Sequence, residues 1–141
     1  MAERFEDLEV WQRARELANL IYDWSDVGSF ARDFGLRDQM RRAAVSVLSN
    51  TAEGFESRTQ ALFIEFLWRA KGSAGELRAQ LYIALDRKYI SPDQFNTALR
   101  LAEACSKQTA RLIQYLETQP NTRRIKEDTL TYNLETLNLE P

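Results

Sequence analysis

The side chains best equipped to act on another group fall into two helical stripes. Arg42, Ser46, Ser49 and Glu53 recur at steps of four and three with Asn50 beside them, and Arg69, Ser73, Glu76 and Gln80 form a similar stripe further along. Residues at these steps share one face of an α-helix. Their chemistry is hydrogen bonding and ion pairing: Ser and Asn can bond across to a second helix, and Arg42 or Arg69 can pair with Glu76 or Glu53 to set register between elements or subunits. A solvated charged face has the same pattern, and both readings stand.

Neither stripe has the parts of a catalytic centre. The 141 residues contain no histidine, so the commonest general base is missing. No Gly-rich phosphate loop and no Gly-x-Ser-x-Gly elbow occur. The Glu-x-x-His pairs of di-iron bundles are ruled out, and Glu53, Glu65 and Glu76 show no grouping beyond ordinary helix spacing. Cys105 is the single cysteine, set on an apolar stripe among alanines; it reads as an inert core thiol, and an intramolecular disulfide is excluded. The expectation is a protein that is not an enzyme, with no catalytic residues, cofactor or metal.

Basic residues carry a second kind of chemistry. Residues 37–88 hold nine Lys or Arg against six acids, a net of +3, whereas residues 1–36 hold four against eight, a net of -4. Arg37, Arg41, Arg58, Arg69, Lys71 and Arg78 are the candidates to meet phosphates of RNA or DNA. The whole chain is nearly neutral at -2, so composition demands neither a nucleic acid nor an anionic membrane.

The elements that must position these groups are helices. Val10, Ala14, Leu17, Ile21 and Trp24 place a first helix over about residues 7–27, and a second runs from Leu36 through Met40, Ala43, Val47 and Asn50 to Gly54. Ser57 or Thr59 caps a third, whose stripe is Phe63, Leu67, Ala70, Ala74, Leu77, Leu81 and Ala84. Ser91, Pro92 and Gln94 spell a capping box with proline at the first helical position, opening a fourth helix striped by Phe95, Ala98, Ala102, Cys105, Thr109, Leu112 and Leu116. Short connections make this an all-α, antiparallel up-down four-helix bundle over residues 1–119. Residues 120–141 form a polar tail in which neither strand nor helix period wins, a segment that is flexible or ordered by a partner.

Size supports one domain, since 44% apolar and 11% aromatic content suffices for a core. The acidic first residues lack the apolar centre of a secretory signal and no apolar run approaches membrane length, so the expected location is cytoplasmic, away from any membrane.

Two features of the middle helices bear on partners. A hairpin turning near Arg58 sets Ala43 and Ala44 opposite Gly72 and Ser73, and close backbone approach there would offset the roughly 1 kcal/mol that each of Gly72 and Gly75 costs inside a helix. The third helix also packs Leu62, Phe63, Ile64, Phe66, Leu67 and Trp68 into seven positions, more than one buried stripe can hold. Self-association is the preferred explanation, with Ile64 and Trp68 as contacts; Arg42, Ser46, Ser49, Asn50, Glu53 and Glu76 complete the candidate oligomer interface. Trp68 as a stacking platform for bases is the alternative.

Phe5, Asp7-Leu8-Glu9-Val10-Trp11-Gln12, the run from Gln39 to Gly54, Phe63-Ile64-Glu65-Phe66-Leu67 and Gly72-Ser73-Ala74-Gly75-Glu76-Leu77 with Tyr89-Ile90 together resemble the four-helix-bundle family of 23S ribosomal RNA intervening-sequence proteins. That family is similar in turn to the accessory variability determinant of diversity-generating retroelements. The resemblance implies a homopentamer and a nucleic-acid role beside a reverse transcriptase, and it supplies no catalytic residues; the leading expectation is a non-catalytic, self-associating bundle that acts as an assembly or adaptor surface, and the alternative is a nucleic-acid-binding accessory of a reverse transcriptase in a diversity-generating retroelement. Leu48 stands where the family usually has proline, which predicts a straighter second helix. Lys88 stands where a glycine often precedes Tyr-Ile, at a position suited to a left-handed cap.

Overall fold

The structure, a computed structural model, describes residues 2–120, and every regular element among them is helical. A 3-10 turn at Phe5–Asp7 leads into α1 (Glu9–Trp24), followed by α2 (Gly28–Arg32), α3 (Phe34–Glu56), α4 (Gln60–Asp86) and α5 (Pro92–Thr118). The tail of residues 121–141 lies outside the described residues.

The four long helices follow the sequence stripes. α1 buries Val10, Ala14, Leu17, Ala18 and Ile21. It stops at Trp24, short of the expected 27, and the chain re-forms as α2, with Gly28 at a φ of +62° that only glycine adopts without strain. Five residues are too few to leave a periodic signal, yet α2 matters because it buries Phe30. Thr51, not Asn50, takes the core position on α3 and bonds its own helix, its hydroxyl donating to the Val47 carbonyl at 2.8 Å. In α5 the core position falls to Ile113 while Leu112 is only half-buried. Thr59 caps α4 and the Ser91–Gln94 capping box opens α5, both as the residue types dictate.

α1 packs against α3 and α5, and so does α4, which places α1 and α4 at diagonal corners of an antiparallel bundle. Its largest buried cluster gathers Leu17, Ile21, Met40, Leu77 and Leu81 with Phe30 and Ile90, a smaller one gathers Val10, Ala14, Val47, Ala74 and Cys105, and the end at the α3–α4 connection is filled by Phe63, Leu67, Ile113 and Leu116. At that end the buried Gln60 amide donates to the Leu116 carbonyl and, at 3.1 Å, to that of Gln119, satisfying acceptors that a helix terminus leaves open. At the opposite end α4 finishes in a Schellman motif: the Tyr89 amide donates to the Ala84 carbonyl and the Lys88 amide to that of Leu85, each at 2.9 Å. Lys88 holds the left-handed position at φ +62°, where a side chain is less comfortable than glycine.

The α3–α4 register corrects one expectation. Ser46, rather than Ala43 or Ala44, lies against Ser73, a pairing set by how the side-chain layers of the two helices fit. The close approach expected of Gly72 and Gly75 is made by Gly54 instead. A Cβ on Gly54 would stand 2.9 Å from both Phe63 Cδ1 and Phe66 Cβ, whereas one on Gly72 or Gly75 would meet nothing within 4 Å.

Candidate interaction surface

The polar stripes meet along the α3–α4 seam. The hydroxyls of Ser46 and Ser73 are 2.7 Å apart, and Asn50 Nδ2 donates to Ser46 Oγ at 2.8 Å and to the Ser46 carbonyl at 2.9 Å. Ser46 and Asn50 thus commit hydrogen bonds within the protomer, and this network ties the two helices in register. Ser49 is half-buried on the same face, while Arg42 and Glu53 at its margins are exposed. The expected cross-helix ion pairs do not include Arg69, which turns to Glu65 one turn back on its own helix at 3.0 Å. Glu76 accepts from Gln80 Nε2 at 3.2 Å, leaving the buried Gln80 Oε1 without a donor.

The outer face of α4 is different. The bulky run sorts as helix geometry requires: Phe63 and Leu67 enter the core, Ile64 is half-buried beside them, and Trp68 stands out at 52% exposed. Leu62 precedes it, and about four turns after Trp68 the side chains of Tyr82 and Ile83 are exposed to 52% and 50%. Between these ends Gly72, Gly75 and Ala79 are exposed, with the exposed charges of Arg69 and Glu76 along one margin. Small residues flanked by large ones give this face the form of a saddle. Periodicity foresaw Trp68; it missed Tyr82 and Ile83, whose signal was an aromatic and a β-branched residue in sequence beside a core leucine.

The six basic candidates do not converge on one stripe. Arg37 and Arg41 sit where α3 begins: Arg37 donates to the Ala31 carbonyl at 3.1 Å and lies 4.8 Å over Phe34, and Arg41 donates to Ser25 Oγ at 2.8 Å and lies 4.6 Å over Tyr22. Arg58 is exposed at the other end of the bundle, in the α3–α4 connection. Along α4, Arg69 lies 5.1 Å over Phe66, Lys71 6.0 Å over Trp68, and Arg78 is 4.0 Å from Glu103.

The single cysteine is placed unfavourably for reaction. Cys105 is fully buried, and burial pushes its thiol up to about 11 against the attraction of Arg13. Among the described residues no three His, Cys, Asp or Glu side chains gather as a metal-holding group. An open groove of about 270 Å³ between the start of α1 and α5, lined by Glu9, Gln108 and Arg111 with Leu8, Val10 and Leu112, is smaller than most ligand pockets. No helix among the described residues is long and apolar enough to cross a membrane.

The sequence model of the 23S rRNA-intervening sequence protein family matches residues 6–111. This chain belongs to that family. The match begins within the 3-10 turn and takes in α1 to α4 and most of α5, so both the polar seam and the α4 saddle of this intervening-sequence family member lie inside it. Among solved structures, it is similar to a protein of unknown function from the S23 ribosomal protein family of Bacteroides thetaiotaomicron VPI-5482, with a TM-score of 0.68 and 21% identity over 74% of this chain and 95% of that one. At that identity the likeness speaks for the bundle fold. No curated protein matches the chain closely enough to count.

Proposed function

We propose that this protein is a non-catalytic, self-associating bundle whose assembled form is an assembly or adaptor surface in the cytoplasm. The observation that carries the reading is the α4 saddle, with exposed Trp68, Tyr82 and Ile83 around Gly72 and Gly75. Each glycine costs about 1 kcal/mol in mid-helix, and no neighbour within the protomer explains it. Close approach of another copy does. Burying a large exposed aromatic contributes about 1.5–3 kcal/mol, enough with its neighbours to drive association. A pentamer is the number that the family resemblance implies.

Size exclusion with light scattering at micromolar concentration tests this. The wild type should elute as a multimer, with five copies as the expected number, and Trp68→Glu should be a monomer of unchanged helical content. A monomeric wild type defeats the reading.

A second reading has its own support: exposed Phe34 and Trp68 each carry a cation against the ring, Arg37 and Lys71, the pairing of charge and π-face that single-stranded nucleic acid uses. Under it the protein is a nucleic-acid-binding accessory of a reverse transcriptase in a diversity-generating retroelement. Binding of a single-stranded oligonucleotide should then fall steeply with salt and weaken further in Arg41→Glu; binding that is absent or indifferent to salt removes it.

A further inference from the structure

The four-helix cross-section is complete along only part of the molecule. α1 starts at Glu9, level with Cys105 and Gln108 of α5: Cys105 Sγ lies 3.9 Å from the Val10 carbonyl, and Gln108 Nε2 donates to Glu9 Oε2 at 3.3 Å. From Gln108, α5 runs on to Thr118, about 15 Å further. The 3-10 turn before α1 packs against α1 and α3, and among the described residues no helix continues α1's corner of the bundle over that length.

Apolar side chains border this corner from both neighbouring helices. On α5, Arg111 and Leu112 line the groove at the start of α1, and Tyr115 continues the same face, three residues past Leu112 and 44% exposed. On α3, Leu48 packs on the Val10 cluster, and half-buried Phe55 lies seven residues further along that face. Phe55 and Leu112 both rest on the Phe63, Leu67, Ile113 and Leu116 cluster. Exposed Arg58, Arg111, Glu56 and Glu117 put both signs of charge at this end, so length and apolar spacing select what fits here.

The chain carries a segment with both properties. Pro120 leaves α5 at this end, where Gln60 Nε2 donates to the Gln119 carbonyl at 3.1 Å, and 21 residues follow it. Among them Leu130, Leu134 and Leu137 recur at steps of four and three, one face of a helix, and residues 130–139 in that form span about 15 Å, the length of the open corner. Residues 121–129 reach up to about 30 Å, ample for the chain to reverse direction. We infer that residues 130–139 fold back into the corner as a short helix running in the direction of α1, with Leu130, Leu134 and Leu137 against Phe55, Leu112 and Tyr115 of the same chain. Ten residues are too few to hold a helix alone in water, so the corner supplies the stability that the segment lacks. The contact is made within one protomer and is independent of self-association.

Hydrogen exchange of the full chain, read by mass spectrometry, tests the inference. Amides of residues 134–139 should exchange at least about tenfold more slowly than in unstructured chain. Tyr115→Asp, and separately Leu130→Asp/Leu134→Asp/Leu137→Asp, should return them to the unstructured rate, with circular dichroism checking that the bundle stays folded. Trp68→Glu, on the diagonal helix, and tenfold dilution should both leave the protection unchanged. Unprotected amides in the wild type overturn the inference. So does protection that survives Tyr115→Asp, which places the segment elsewhere, and so does protection lost on dilution or in Trp68→Glu, which assigns it to another copy or to the saddle.

Discussion

The Tyr89 hydroxyl donates to Asp33 Oδ2 at 2.9 Å, while Oδ1 of the same carboxylate accepts from the Leu36 amide at 3.1 Å. One side chain therefore caps α3 and moors the α4–α5 connection, so two parts of the bundle far apart in sequence share a single anchor. Tyr89→Phe keeps the cap and the stack on Phe30 and should cost about 1 kcal/mol. Asp33→Ala loses cap and mooring together and should cost about 2 kcal/mol. Urea unfolding at unchanged m-value measures both; equal losses would show that the two roles are not combined in Asp33.

Three of the helical glycines, Gly54, Gly72 and Gly75, should separate cleanly. Gly54→Ala drives a methyl group into Phe63 and Phe66 and should destabilise by about 1–3 kcal/mol despite alanine's higher helix propensity. Gly72→Ala and Gly75→Ala meet open space and should each stabilise the protomer by up to about 1 kcal/mol. If the saddle seats another copy, the same two changes weaken assembly. Thermal unfolding read beside light scattering gives the two effects independently, and a Gly72→Ala chain that gains neither stability nor loses assembly would contradict both arguments.

Lys88→Gly relieves the left-handed residue at the end of α4 without touching the amide bonds of its cap. The expected gain is about 1 kcal/mol in unfolding free energy. Lys88→Ala, which keeps the Cβ, should show little of it.

Cys105 should be nearly inert in the folded state. Burial raises its thiol from an ordinary value of 9.0 to about 11, so the native chain keeps a proton that the unfolded chain releases first. The associated stability is fully present below about pH 9 and is lost as pH rises through about 11. At pH 8 the native thiolate is roughly a hundredfold scarcer than in unfolded chain, as two pKa units dictate. Iodoacetamide should modify Cys105 at a rate set by unfolding; prompt native labelling would mean the thiol is reachable.

How much of this could be read from the residues alone follows the range of the forces involved. Leu17, Leu77, Ala98 and their stripe-mates disclosed the long helices because a 3.6-residue period is a local property. Thr59, Ser91 and Gln94 marked starts because a cap is completed within three residues, and Lys88 marked an awkward left-handed finish for the same reason. α2 left no comparable trace, since five residues span barely more than a turn.

The amino-acid pattern thus determined the helix type, the caps, most of the core and a polar inventory poor in catalytic groups. Only the tertiary structure decided that Ser46 meets Ser73, that Gly54 and not Gly72 is the site of close approach, and that Asp33 holds Tyr89. These depend on how far each helix is rotated and slid against its neighbours. That is set by the fit of whole side-chain layers, which no window of neighbouring residues contains. The same rotation turned Trp68, Tyr82 and Ile83 outward together and made a surface out of residues whose spacing resembled any other stretch of helix.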